Sequence, residues 1–244
     1  MNPIILIPAR MASTRLANKP LVDIHGAPMI VHVWRRAIEA NIGDVVVACD
    51  HEDIARVVEK EGGKVILTDP DLPSGSDRIY QALMQEDPGK KHDIVVNLQG
   101  DLPNLPPKLL QKVLKPLANE STDLSTLGVP FEREEERHNP NNVKIVLSIE
   151  KDKSSGRALY FTRTNAPYNA KTTYYHIGIY AYRRPALDKF VQLPVSPLEE
   201  TEKLEQLRAL EAGMRIDVEL VEEMPVGVDT PDDLEKVRHL MVRS

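Results

Sequence analysis

The chain has 244 residues, a formal net charge of −6 and one cysteine, Cys49. That acidic balance argues against a nucleic-acid-binding protein, which would show a basic face, and no apolar stretch approaches the length of a membrane span. A single cysteine allows no internal disulfide and fits a reducing cytoplasm, where the chain is expected to act because no signal peptide precedes its first core strand.

The length suits one α/β domain spanning 1–244, with a core large enough to need no staples. Ile4-Ile5-Leu6-Ile7 is a continuous apolar run ended by Pro8, the pattern of a strand buried on both faces of a parallel sheet. A loop of small residues follows, carrying Arg10, Arg15 and Lys19 with the hydroxyls of Ser13 and Thr14 between them. Small residues let backbone N–H groups approach a ligand, and the cations neutralise it. Arg offers a planar fork to phosphate oxygens and Lys a mobile point charge, so the loop points to a polyphosphate. Ligands bind at such strand ends in open α/β sheets. Neither a Walker loop nor G-x-G-x-x-G is present, which disfavours P-loop and dinucleotide-binding proteins.

Pro28 to Ile42 has apolar residues at helical spacing and is stopped by Gly43. His32 and Trp34 on it are read as packing residues. Asp44 to Cys49 is the second strand, with Cys49 as a small core residue. Asp50-His51-Glu52-Asp53 opens a helix to about Glu61; the cluster is read as capping and not as a metal site. Gly62-Gly63 ends that helix, and Lys64 to Leu67 is a third strand. The β-loop-α-β-α-β rhythm is that of a doubly wound parallel sheet.

Ser74-Gly75-Ser76-Asp77-Arg78 opens the next helix and could present N–H groups and hydroxyls to an anion, or be an ordinary capped start. Asp93 to Leu98 is a fourth strand that delivers Gln99-Gly100-Asp101. A carboxylate at a strand end near a cationic phosphate loop suits Mg²⁺, which takes one or two carboxylates plus substrate phosphates; the plainer alternative is a turn Asp before Pro103. Pro106 to Ala118 is predicted as one helix. Strands follow at Leu124 to Pro130 and Val143 to Ile149, around a solvated charged run, Glu132 to Arg137. Lys151 to Gly156 is read as a polar turn. Tyr174 to Tyr182 is an aromatic-rich strand of the kind found at interfaces. Pro197 to Gly213 reads as one helix, and Ile216 to Val221 as a late strand. Asp229 precedes a helix capped by Thr230 with Pro231 in its first turn.

The pattern Pro8-Ala9-Arg10-x-x-Ser13-x-Arg15-Leu16-x-x-Lys19-Pro20-Leu21 resembles the signature loop of the sugar cytidylyltransferases, and within them the CMP-Kdo synthetase family (Kdo is 3-deoxy-manno-octulosonate). Ser74 to Arg78, Gln99-Gly100-Asp101, Asn139 to Lys144, Tyr160 to Arg163, His176 to Tyr182, Leu204 to Arg208 and Gly227 to Leu234 extend the resemblance almost to the C-terminus. It implies a Rossmann-like nucleotidyltransferase fold, with a mostly parallel central sheet flanked by helices. A smaller dimerisation sheet, inserted at about 124–185, would also cover the sugar. Pro8, Ala9, Arg10, Ser13, Arg15, Lys19, Ser74 and Arg78 would then bind CTP, and Asp101 and Asp229 would hold Mg²⁺. Arg10, Lys19 and the two Asp residues would carry catalysis. Gln99, Arg163, His176, Tyr180, Glu205 and Gln206 would hold the sugar acid. The implied protein is a homodimer that joins CMP to Kdo for lipopolysaccharide synthesis and releases pyrophosphate.

Three departures stand out. Ala17-Asn18 replaces the family's Pro-Gly, a change Asn can absorb because it tolerates positive φ. Leu102-Pro103 replaces its Glu-Pro. The 164–175 loop is short, so that the family's Arg falls near Ala170, where Lys171 could substitute. Two alternatives are a cytidylyltransferase for another sugar acid, such as a sialic acid or an amino-Kdo, and a catalytically silent nucleotide-binding regulator. The retention of Lys19, Asp101 and Asp229 argues against the second.

Overall fold

The computed structural model describes residues 1–242. The chain divides into two compact units, one of Met1–Leu110 with the segment from Pro225 onward, the other of Gln111–Met224.

In the first unit four parallel strands stand in the order Lys64–Leu67, Asp44–Cys49, Pro3–Ala9, Ile94–Asn97. The apolar run predicted at the N-terminus supplies the central strand, and all seven of its residues are buried. Ile4, Ile5, Leu6 and Ile7 have no exposed surface. Each such side chain contributes about 1.5–3 kcal/mol on burial, set against the entropy of ordering the chain. Pro8 was expected to end this strand and lies inside it. The register explains why: Pro3 to Leu6 pair with Ile94 to Asn97, while Pro8 pairs only with Ala48 of the other neighbour. Proline is tolerated where one side of the ladder is already open.

The connecting helices are Met29–Ala40, Glu52–Lys60 and Gly75–Glu86, with Pro231–Met241 closing the unit's sequence. Pro28 is the N-cap of the first, and Asn41 ends it in the left-handed conformation ahead of Gly43. At the second, His51 Nδ1 accepts the N–H of Asp53 at 3.1 Å, the capping role read from the sequence. Thr230 and Asp233 form a capping box around Pro231 at the last. Parallel strands alternating with helices make this the α/β fold that the sequence implies.

In the second unit five strands stand in the order Tyr174–Arg183, Leu124–Pro130, Ile216–Leu220, Ser155–Thr162, Lys144–Ser148. Tyr174 and Tyr175 also pair with Ile145 and Lys144, so the order closes on itself. Only the Ile216–Leu220 and Leu124–Pro130 pair is parallel. The long aromatic strand shifts register between Ile177 and Tyr180, so that Gly178 and Ile179 have no partner position on Leu124–Pro130.

Two predicted helices are broken. Pro106 to Ala118 contains an α-helix at Lys108–Lys112 and a separate 3-10 turn at Lys115–Ala118, because Pro116 has no N–H to donate to the Lys112 carbonyl and cannot continue the α-helix. Pro197 to Gly213 splits into Pro197–Glu202 and Gln206–Glu211 at Lys203, whose φ is 56°. The Ser155–Thr162 strand begins inside the stretch read as a turn, and the Arg184–Phe190 helix was not foreseen.

Candidate functional site

A cavity of about 740 Å³ opens in the first unit at the carboxyl ends of its strands. Every residue predicted to bind nucleotide or metal lines it: Pro8, Ala9, Arg10, Ser13, Arg15, Lys19, Ser74, Arg78, Asp101 and Asp229, with Gln99 beside them.

Local sequence explains the convergence. Asn18 takes the left-handed conformation (φ 50°, ψ 37°) and starts the Lys19–Leu21 turn, where the Leu21 N–H reaches Asn18 O at 2.8 Å. That turn aims Lys19 inward. Gly100 lets the strand-end loop approach the first strand: a Cβ there would sit 2.8 Å from Pro8 O. The N–H of Val228 donates to Asp101 O at 3.0 Å, which sets the two acidic segments side by side. Asp229 contributes its N–H to the Asp233 carboxylate of the helix cap at 3.3 Å, and its own carboxylate faces the cavity cations.

Lys19 Nζ donates to Asp101 Oδ2 and to Asp229 Oδ1, each at 2.8 Å, and Arg15 lies 3.1 Å from Asp229 Oδ1. Burial alone would lower the Lys19 pKa, but the two carboxylates outweigh it and hold the ammonium above its usual value. Among the described residues Arg10 has no hydrogen-bond or ion-pair partner, and it stands exposed at the rim. A carboxylate pair already drawn onto one cationic nitrogen, beside the exposed Arg10 and Arg15, can hold a divalent ion together with a polyphosphate. Among the described residues no three His, Cys, Asp or Glu side chains gather as a complete metal site, so phosphate oxygens would have to complete the coordination. Burial pushes the Cys49 thiol up to about 11, which leaves it unsuited to nucleophilic work.

Ser74 caps the Gly75–Glu86 helix, with its Oγ accepting the Asp77 N–H at 3.2 Å. Arg78 borders the cavity but spends its guanidinium inward: Nη1 donates to Thr68 Oγ1 at 2.6 Å and to Asp69 O at 3.1 Å. Sequence reasoning missed Leu72 and Pro73, which also line the cavity. It missed Asp50 as well, whose Oδ1 accepts the Met11 N–H at 2.8 Å. Their signals were available as a Leu-Pro pair just before the Ser-Gly-Ser turn and an acid immediately after a buried strand.

Of the predicted sugar-acid residues, Gln99 alone belongs to the first unit, where its amide donates to Asn97 Oδ1 at 3.1 Å. In the second unit His176 is buried, with Nε2 3.0 Å from Thr126 Oγ1 and its ring edge-on to Phe161 at 4.9 Å. Burial drops its pKa to about 3 and raises that of the adjacent Tyr180 well above the ordinary value. Arg163 donates to the carbonyls of Glu202, Pro140 and Lys203. Gln206 is buried, with Nε2 unpartnered among the described residues, and Glu205 is the N-cap of the same short helix.

Cations and a carboxylate pair at the carboxyl end of a parallel sheet suit a nucleotidyltransferase. The family model described as cytidylyltransferase matches residues 4–216, and the chain belongs to that family. It is 54% identical to the 3-deoxy-manno-octulosonate cytidylyltransferase of Paramagnetospirillum magneticum over 99% of this chain and 98% of that protein. Identity to the enzyme of the same name from Rhodopseudomonas palustris is 57%, over 98% and 97% of the two chains. A solved structure of CMP:2-keto-3-deoxy-manno-octonic acid synthetase complexed with CTP superposes with a TM-score of 0.91 at 39% identity, over 100% of this chain and 99% of that one.

Proposed function

We propose that the protein transfers CMP from CTP to 3-deoxy-manno-octulosonate, releasing pyrophosphate and forming CMP-Kdo for lipopolysaccharide biosynthesis. The observation that carries this reading is the Lys19, Asp101 and Asp229 cluster in the strand-end cavity, in a chain more than half identical to enzymes named for that activity over nearly its full length. A hydroxyl of the sugar acid attacks the α-phosphorus of CTP in line; the new P–O bond forms as the bond to pyrophosphate breaks, and the hydroxyl proton is lost to solvent. Positioning and charge neutralisation supply most of the acceleration. Arg10 and Arg15 hold the phosphates from the rim. Lys19 meets the charge growing on the α-phosphate and leaving group. Asp101 and Asp229 would hold Mg²⁺, which when bound offsets phosphate charge and lowers the pKa of the attacking hydroxyl. Ser74 and the turn it caps support the nucleotide; Arg78 acts from beneath.

Gln99, Arg163, His176, Tyr180, Glu205 and Gln206 are proposed for the sugar acid on the family resemblance. On the same ground the chain is read as a cytoplasmic homodimer, with 124–185 pairing subunits and covering the sugar. No helix among the described residues is long and apolar enough to cross a membrane. The test is pyrophosphate release from CTP and Mg²⁺ with Kdo, a sialic acid and an amino-Kdo offered separately. Release with Kdo at the highest kcat/KM is expected. Preference for another acid would overturn the substrate, and no release with any, despite CTP binding, would overturn the activity.

A further inference from the structure

Asp50 stands directly after the second strand, Asp44–Cys49, whose Cys49 pairs in register with Ala9 of the first strand. The two chains therefore leave the sheet side by side, one into the cationic loop and the other into Asp50. The Asp50 side chain is only 8% exposed. Its Oδ1 accepts the Met11 N–H at 2.8 Å, one residue beyond Arg10. Its Oδ2 lies 3.7 Å from the Arg78 guanidinium, itself 3% exposed. Arg78 in turn donates to Thr68 Oγ1, and Thr68 Oγ1 donates to Cys49 O at 3.0 Å. A buried carboxylate thus joins the first turn of the phosphate loop to the ends of two strands and to the helix that Ser74 caps. Arg10 has no side-chain anchor of its own among the described residues, so its position depends on the backbone held at Met11.

We infer that Asp50 is a positioning residue for CTP, pre-ordering the Arg10 loop through the Met11 N–H, with Arg78 as the buried counter-cation that holds Asp50 in place. The inference rests on the cytidylyltransferase reading of the cavity. A loop already ordered spares CTP the cost of ordering it on binding. Loss of that order therefore appears in the KM for CTP, and less in kcat once CTP has organised the loop.

The experiment compares wild type, Asp50→Ala and Asp50→Asn in steady-state kinetics with CTP and Kdo varied separately. An inactive wild type would count against the proposed reaction and leave the CTP arm to be read by calorimetry, where the same variants are compared for CTP affinity. Asp50→Ala is expected to raise the KM or Kd for CTP about tenfold, the worth of one hydrogen bond to a charged acceptor. Its KM for Kdo should stay within about twofold and its kcat within about threefold. Asp50→Asn keeps an oxygen for the Met11 N–H and is expected to recover most of the CTP affinity. An unchanged KM for CTP in folded Asp50→Ala, or equal losses in both variants, would overturn the assignment. Should Asp50→Ala fail to fold, amide exchange in the wild type decides: protection at Met11 well above that at Ala12 supports it, and equal exchange overturns it.

Discussion

The strand-end loop that carries Arg10, Arg15 and Lys19 and the aromatic strand that carries His176 and Tyr180 were both read as ligand-binding, and they differ physically. In the first, charges face an open cavity, and a lysine already lies between two carboxylates. In the second, His176 is edge-on to Phe161, bonded to Thr126 and driven to its neutral form by burial. Thr126 Oγ1 also reaches the carbonyls of Ile177 and Ile179, at 3.1 and 2.8 Å. The loop's cations stand open to a charged ligand, while on the strand the His176 ring already meets Thr126 and Phe161. Substitutions in the loop should therefore act mainly on turnover, whereas substitution of buried His176 should cost stability in addition to any sugar-acid contact.

The comparison is broken most severely at Lys19. Lys19→Met should lower kcat/KM for pyrophosphate release by about 10²–10³, the loss typical of removing one preorganised charge from a transition state. Its melting temperature should stay near that of the wild type, because the replaced ion pairs border a cavity. A drop of less than about fivefold in steady-state assays would detach Lys19 from the chemistry.

The second effect is on stability and is set by pH. His176 titrates near 6.5 when unfolded and near 3 when folded. Below pH 6.5 the unfolded chain binds the extra proton, so stability is lost as pH falls toward 3, by up to about 1.4 kcal/mol per pH unit. Above pH 6.5 the residue adds no pH dependence. Thermal melts of wild type and His176→Gln between pH 7.5 and 5 should show the steeper acid loss in the wild type; parallel curves would mean that His176 is accessible to protons in the fold.

Arg15→Ala sharpens the contrast within the loop. Arg15 is largely exposed and shares Asp229 with Lys19, so its removal should raise the KM for CTP only about three- to tenfold, as expected for a solvent-screened phosphate contact. The smallest effect belongs to Arg36, paired with Glu39 on the helix surface. Arg36→Ala should change stability by no more than about 0.5 kcal/mol in chemical denaturation and leave kinetics unaltered.

These regions also differ in how much could be read in advance. The four strands of the first unit are apolar runs bounded by breakers, and the cationic loop and Asp101 are legible at the carboxyl ends of two of them, whereas Ser74, Arg78 and Asp229 take a role only from the family resemblance. Asn18 was recognised as able to take the left-handed turn it occupies. The losses came where local signals competed. Asp50 lies in an acidic run that begins a helix, and capping, which His51 supplies, explained the run without it. Lys203 gave no sign that it would break a Leu-rich periodicity, since lysine favours helices and rarely takes positive φ. The polar start of the Ser155–Thr162 strand reads as a turn because its Ser-Gly pair is turn chemistry, yet Gly156 is required there: a Cβ would lie 2.6 Å from Ser148 O of the adjacent strand.

The central claim, that the cavity cluster carries out CMP transfer, is tested most directly at Asp101. Single-turnover formation of pyrophosphate from CTP, Kdo and Mg²⁺ would be followed in wild type and in Asp101→Asn, with CTP binding and melting measured on the same samples. The expected result is a fall in rate of at least about 10³-fold, with the fold intact and CTP still bound. Near-normal turnover in a folded Asp101→Asn protein would contradict the account.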